Sequence, residues 1–294
     1  MPKTILHAAA RAAALPQSAE RESTFRLRAE WSPIARSHHE FHLEEETGLA
    51  ETLNPGVRRE VAEYRWRHVA PLLPPEGTEP GDVWEPPIVP IVALVRQLHP
   101  SAKSRMHHHD LLSSIGRADE GDEEGAPPKS VPMPGAPIGA RATLLEATDA
   151  TLDVLLRAHV EFHLEGGRVF YTPAQFEGRL VVDRIARRVV AFSLAVPDRD
   201  SNVDMNVYEL GTDGEEEGRA DIGYVPRLGL WTDAPVPRRN EEALEAARLR
   251  LRRAFYPFAS IEWLPLTDAL ARSRGTGKPL HVVQLFGTLD DESC

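Results

Sequence analysis

FYPFASIEWLPLTDALARSRGTGKPLHVVQLFGTLDDESC, residues Phe255 to Cys294, decides how the rest of the chain is read. Ser260 to Leu264 is a short apolar run with β-branched and aromatic members, which predicts a strand. Thr267 to Arg274 carries helix formers and a closing Arg, with Gly275 and Gly277 just past it, where a helix ends most easily. Pro279 bars further helix. Leu280 to Phe286 then reads as a near-continuous apolar strand, the pattern of one buried on both faces. Strand, helix and buried strand make a βαβ unit, and a sheet built on one calls for more chain after it. The only cysteine among the 294 residues is Cys294.

Composition bounds the alternatives. At about 100–200 residues per domain, the chain has room for two. Hydrophobic residues make up 41%, enough for a core, while 25 prolines imply much irregular connection. With 34 Lys and Arg against 45 Asp and Glu, the net charge is −11. That balance argues against nucleic acid or an anionic membrane as principal partner, because both need clustered positive charge. A single cysteine excludes a disulfide framework or a multi-thiolate metal site within the chain. No apolar run approaches the ~18–20 residues of a membrane-spanning helix. Lys3 to Leu15 is interrupted by Arg11 and makes no convincing signal peptide. A cytoplasmic location is the default expectation.

Taken in order, the chain predicts an α+β protein. Residues 1–115 form a mixed α/β region: a strand over Phe25 to Trp31 by its period of two, a helix over Val57 to Val69, and a helix over Ile88 to Leu98, where Pro90 suits a first turn. Residues 116–139 are acidic and then Pro/Gly-rich, a linker without periodicity. Residues 140–236 carry short β-rich runs separated by turn residues, an antiparallel module. Gly211 to Gly218 is expected as an acidic loop at its edge. Residues 237–294 hold a helix capped by Asn240, with Leu244, Ala247, Leu251 and Phe255 on one face, followed by the βαβ unit. The arginines of that helix (Arg248, Arg250, Arg252, Arg253) are expected on a solvated face.

Several constellations resemble sites and read better as ordinary structure. Asp198, Asp200, Asn202, Asp204 and Glu209 fall at positions one, three, five, seven and twelve of an EF-hand-like loop. Val203 stands where that loop needs Gly for positive φ, so a solvated β-loop is expected and calcium is disfavoured. His38, His39 and His42 lie near Glu40 and Glu44; His107 to His109 precede Asp110; His159, Glu161 and His163 share one face of a strand. Each offers only two or three ligands, and none is assigned a metal. Gly275 to Pro279 lacks the first glycine and the Ser or Thr of a phosphate loop, so it is a turn.

A lone cysteine after a buried strand and a short loop occupies the place of the redox site in thioredoxin-type folds, where a helix N-terminus lowers the sulfur pKa. LFGTLDDESC, Leu285 to Cys294, closely resembles the segment of selenoprotein N that precedes its selenocysteine, where the family reads Ser-Cys-Sec-Gly. Pro257 to Val283, Ala220 to Leu228, Ser201 to Met205, and Ala158 to Leu164 with Tyr171 to Asp183 are similar to family segments in the same order. The resemblance thus spans roughly residues 150 to 294. It implies an incomplete thioredoxin-like unit cut one residue before the selenocysteine. It also implies a selenocysteine-dependent thiol-disulfide oxidoreductase that is inactive as it stands. Cys294 would be the resolving thiol, with Ser293, Asp290 and Asp291 beside it. The neighbouring carboxylates disfavour the thiolate, which suits resolving better than attack. No cofactor is implied beyond selenocysteine itself. The implied partner is a thiol or disulfide substrate, protein or small molecule, and the unfinished sheet could support oligomers. Animal members are membrane glycoproteins of the endoplasmic reticulum, but with no span and no Asn-x-Ser/Thr sequon that location is not carried over. The alternative is a non-catalytic calcium-responsive or adaptor protein.

Overall fold

The computed structural model describes residues 22–43, 48–104, 139–210, 216–256, 260–261 and 263–282. Its strands are β1 (Thr24–Trp31), β2 (Arg36–Ser37), β3 (Val61–Arg65), β4 (Val83–Trp84), β5 (Ala102–Lys103), β6 (Gly139–Ala147), β7 (Thr151–His159), β8 (Glu161–Leu164), β9 (Val169–Pro173), β10 (Phe176–Asp183), β11 (Arg188–Ala195), β12 (Val203–Leu210), β13 (Glu216–Tyr224) and β14 (Leu228–Trp231). The α-helices are α1 (Leu49–Leu53), α2 (Ile88–Val95), α3 (Glu241–Phe255) and α4 (Leu266–Thr276). The architecture is α+β, with antiparallel pairing between all of these strands.

Two sheets face each other. The first runs β3-β1-β14-β11-β10-β7-β6-β4 and the second β2-β13-β12-β9-β8-β5. Strands from residues 24–103 stand at both ends of each sheet and flank those from residues 139–231, so the two stretches share one core. Period-two alternation explains the layering: Phe176, Leu180 and Val182 of β10 point inward, while Glu177 and Arg179 point out. Trp31 of the first sheet meets Phe162 and Tyr171 of the second at 4.7 and 5.0 Å between ring centres. Among the crossings between the sheets, one falls at Val160 between β7 and β8 and another at Ala174 and Gln175 between β9 and β10.

α3 packs on the outer face of the first sheet. Its Ala247 and Leu251 sit against Leu155 of β7. Asn240 caps it as expected, its Oδ1 accepting from the backbone N–H groups of Glu242 and Ala243 at 2.8 and 3.3 Å. α2 matches the predicted helix, with Ile91, Leu94 and Val95 fully buried.

The helix expected over Val57 to Val69 is instead β3 followed by a single 3-10 turn, Trp66–His68. β1 offers an open edge, and pairing there inserts Ala62 and stacks Tyr64 on Phe25 at 5.9 Å. Tertiary pairing outweighs the local helix preference of a stretch rich in Arg and Glu. The acidic edge loop is shorter than expected, since β13 already begins at Glu216. In the C-terminal stretch the helix is present as α4, closed by Gly277 at φ 67°. Its flanking strands are not seen among the described residues. Ser260, Ile261, Trp263 and Leu264 form no ladder, nor do Leu280 to Val282. An apolar run becomes a strand only where a neighbour supplies hydrogen bonds. α4 buries none of its residues.

Candidate functional site

Cys294, Ser293, Asp290 and Asp291 lie outside the described residues, as does the remainder of the expected strand, residues 283–286. His107 to Asp110 and Glu44 lie outside them as well. The other singled-out residues can be placed. Asn202 is buried and bridges two loops: its Nδ2 donates to the carbonyls of Pro197 (3.2 Å) and Val225 (2.9 Å), and its Oδ1 accepts from Val225 N–H (2.8 Å). Asp198 accepts from the Tyr224 hydroxyl at 2.6 Å, and Asp200 pairs with Arg36 at 3.2 Å. Asp204 and Glu209 are on β12. The segment is therefore not a solvated loop throughout: Asn202 is 1% exposed and Asp204 6%. Among the described residues no group of three or more His, Cys, Asp or Glu is arranged to hold a metal ion.

His159, Glu161 and His163 do not share one strand face. The chain changes sheets at Val160, leaving His159 at the end of β7 and Glu161 at the start of β8. His159 faces α3, its Nε2 3.2 Å from the Tyr256 hydroxyl and its ring edge-on to Phe255. Glu161, with no exposure, accepts from the Thr172 hydroxyl at 3.1 Å and meets His163 Nε2, while His163 Nδ1 lies 3.1 Å from Lys103 Nζ. His38 and His39 pack edge to face at 4.6 Å, and His42 hydrogen-bonds Ser37 at 2.9 Å.

The outer face of the first sheet holds the chemistry that sequence reasoning passed over. Asp153 of β7, 3% exposed, takes a forked pair of bonds from Arg179 of β10, Nε at 3.3 Å and Nη2 at 2.6 Å. Arg239 Nε adds a third at 2.7 Å and reaches on to Glu146. Arg179 Nη1 also donates to the Pro237 carbonyl at 2.8 Å, which ties the approach to α3 onto the sheet. Arg157, 5% exposed, lies over the rings of Phe255 and Tyr256 at 5.6 and 5.2 Å, against the C-terminal end of α3. The sequence signal was charged residues at alternate positions in otherwise apolar runs, in LDVLLRAH and FEGRLVV, which marks an outer sheet face under cover.

Beside α3 the sheet opens into a cleft of about 730 Å³. Its floor is the small outward pair Ser193 and Ala195 on β11; Gly229 of β14 lies directly across from Ala195. Its walls are α3 and the turn Val196 to Arg199, with Trp231 and Gln175 along the margin. Arg248 of α3 crosses to Glu177 of β10 through two bonds of 2.8 Å each. Those bonds to Glu177 raise the Arg248 pKa above its ordinary value, and partial burial offsets only part of the rise. Gln175 is 5% exposed, and its Oε1 meets no donor among the described residues.

A two-sheet antiparallel α+β body carrying a helix-covered outer face is the class the coordinates define. No protein-family model matches the chain, and no solved structure does. Human selenoprotein N is 31% identical over 276 aligned residues, covering 79% of this chain and 45% of the human protein. Mouse selenoprotein N is 30% identical over 276, with 79% and 47% covered. Zebrafish selenoprotein N is 31% identical over 193, with 54% and 34% covered. The chain belongs to the selenoprotein N family. It spans about half the length, or less, of these curated relatives. Among the described residues no helix is long and apolar enough to cross a membrane.

Proposed function

We propose that the chain serves a selenocysteine-dependent thiol-disulfide oxidoreductase, with Cys294 as the resolving thiol beside a selenocysteine that follows it in the complete active site. The observation that carries this reading is the tail Leu285 to Cys294, which resembles the family's approach to its selenocysteine, within a chain that belongs to that family. α4 fits a thioredoxin-like unit completed by further β structure: Leu266 and Leu270 stand 56% and 37% exposed on one side of it, a spacing that normally packs on a sheet.

The chemistry balances as an exchange. The selenolate attacks one sulfur of a substrate disulfide, a Se–S bond forms, the S–S bond breaks, and the other substrate sulfur leaves as thiolate. The Cys294 thiolate then attacks selenium, forming an internal S–Se bond and releasing the second substrate thiolate. A dithiol reductant returns the pair to thiol and selenol and is itself oxidised to a disulfide.

The test compares disulfide reduction by a product extended through Ser-Cys-Sec-Gly with the same product carrying Ser in place of Sec. A drop of at least about 100-fold in turnover is expected, the scale on which an activated nucleophile is lost. Equal rates would remove the enzymatic reading.

A further inference from the structure

A lysine, a histidine and a buried glutamate on the outer face of the second sheet have the arrangement of a nucleophile with its base. Strand register builds the group. Lys103 of β5 stands directly across from Glu161 of β8, His163 follows on the same face of β8, and Phe170 of β9 lies across from His163. Lys103 Nζ is 3.1 Å from His163 Nδ1. His163 Nε2 meets Glu161, which also accepts from the Thr172 hydroxyl at 3.1 Å. Phe170 sets the plane of the imidazole, its ring edge-on at 4.8 Å.

The partners fix where the protons are. An ammonium can only donate, so Nδ1 is the accepting nitrogen, and the ring proton sits on Nε2 and points at the Glu161 carboxylate. Burial is graded along this line: the Glu161 side chain is 0% exposed, that of His163 11%, and Lys103 is open to solvent. β5 is the last strand of its sheet, so a reactant can approach Lys103 from the edge. A nucleophile in hydrogen-bond reach of a base, with the base oriented by a third group, is the pattern of an activated side chain.

We propose that Lys103 is an acyl-acceptor site for a thioester, with His163 as its base and Glu161 as the residue that orients the imidazole. The Lys103 ammonium passes a proton to His163 Nδ1, leaving an imidazolium held by Glu161. The free amine attacks the thioester carbonyl, a C–N bond forms and the C–S bond breaks. The departing thiolate takes the Nδ1 proton and the remaining amine proton passes to water, so an amide and a thiol result. The amide is neutral, which removes the positive charge beside the imidazole for good, whereas the protonated imine of an aldehyde would restore it. The site involves neither Cys294 nor selenium, so it is independent of the redox reading.

The lysines of the chain are Lys3, Lys103, Lys129 and Lys278. Lys278 is exposed and its Nζ has no partner among the described residues, which makes it an internal reference. The folded chain is treated near neutral pH with S-acetyl-N-acetylcysteamine, a small acetyl thioester, and acetylation at each lysine is followed by peptide mass spectrometry. Lys103 should react at least about tenfold faster than Lys278, within what a positioned base supplies. His163→Gln keeps an acceptor for the ammonium but cannot carry the proton, and should bring the ratio of the two rates near one. Glu161→Gln should lower that ratio at least about threefold. If the variants fail to fold, the unsubstituted chain in urea decides, because unfolding disperses the three side chains and should level the two rates. The proposal is overturned if Lys103 reacts no faster than Lys278 in the folded chain, or if the ratio survives either substitution or unfolding. It is also overturned if an aldehyde with borohydride trapping singles out Lys103 and the thioester does not.

Discussion

Removing the Asp153 carboxylate is the sharpest test of how α3 and its approach are fixed to the sheet. Asp153 and Arg179 are 3% and 7% exposed, and the carboxylate receives three charged N–H groups at 2.6–3.3 Å. Asp153→Ala leaves the Arg179 guanidinium buried with only the Pro237 carbonyl as partner. Breaking one side of a buried pair costs about 3–5 kcal/mol, because an uncompensated charge remains in low dielectric. Arg239 keeps Glu146 and is 29% exposed at its side chain, so its share of the loss is small. At about 2–4 °C per kcal/mol for a chain of this size, Tm should fall by roughly 6–20 °C. Replacing both partners, as Asp153→Leu with Arg179→Met, should recover most of the loss, since an apolar pair removes the stranded charge. Urea unfolding at two salt concentrations is the assay, because buried pairs are little screened. The exposed pair Arg28–Asp233, at 67% and 68% exposure, is the control, and Asp233→Ala should leave the unfolding midpoint nearly unchanged, since solvent screens such a pair. A loss at Asp153→Ala no larger than at Asp233→Ala would refute the reasoning.

Three further outcomes follow from single sites. Partial burial lowers the pKa of His99, which stands edge-on to Trp31 and accepts from Ser101 N–H at 3.3 Å. The folded state thus binds fewer protons than the unfolded state in this window, so His99's contribution is complete above about pH 6.5 and is lost as pH falls below it. His99→Phe should flatten the unfolding free energy between pH 7 and 5 relative to wild type, and an unchanged slope would contradict this. A Cβ at Gly229 would stand 2.5 Å from Ala195 Cβ and 2.6 Å from the Leu194 carbonyl oxygen. Gly229→Ala should therefore cost at least about 1–3 kcal/mol in chemical denaturation, by forcing β14 away from β11. Asn240→Ala should lose about 1 kcal/mol, read as a Tm shift, because two N–H groups of α3 lose their acceptor.

Where local pattern and tertiary need agreed, the elements could be read directly. FRLRAEW alternates and pairs on both sides in the sheet, and Asn240 caps the helix it announces. The segment from Val57 failed because its helix formers sit beside an open strand edge, which no local signal reveals. The β-rich run from Thr151 to Leu164 turns from one sheet to the other at Val160, separating His159 from Glu161. Sheet identity is a long-range property, invisible to periodicity. The cleft was also beyond reach, because Gln175, Ser193 and Trp231 come from three different elements joined only by strand order. The tail was informative in the opposite sense: its redox reading rests on resemblance around one cysteine, and periodicity contributed α4 alone.

The most direct measurement of the central claim is a trapping experiment on the selenocysteine-containing product with Cys294→Ser. If Cys294 resolves the intermediate, this variant should still attack a disulfide substrate but accumulate a covalent Se–S adduct with it, seen by mass spectrometry under non-reducing conditions, and turnover should stall. An adduct that clears as fast as in the product retaining Cys294, with turnover unchanged, would contradict the account.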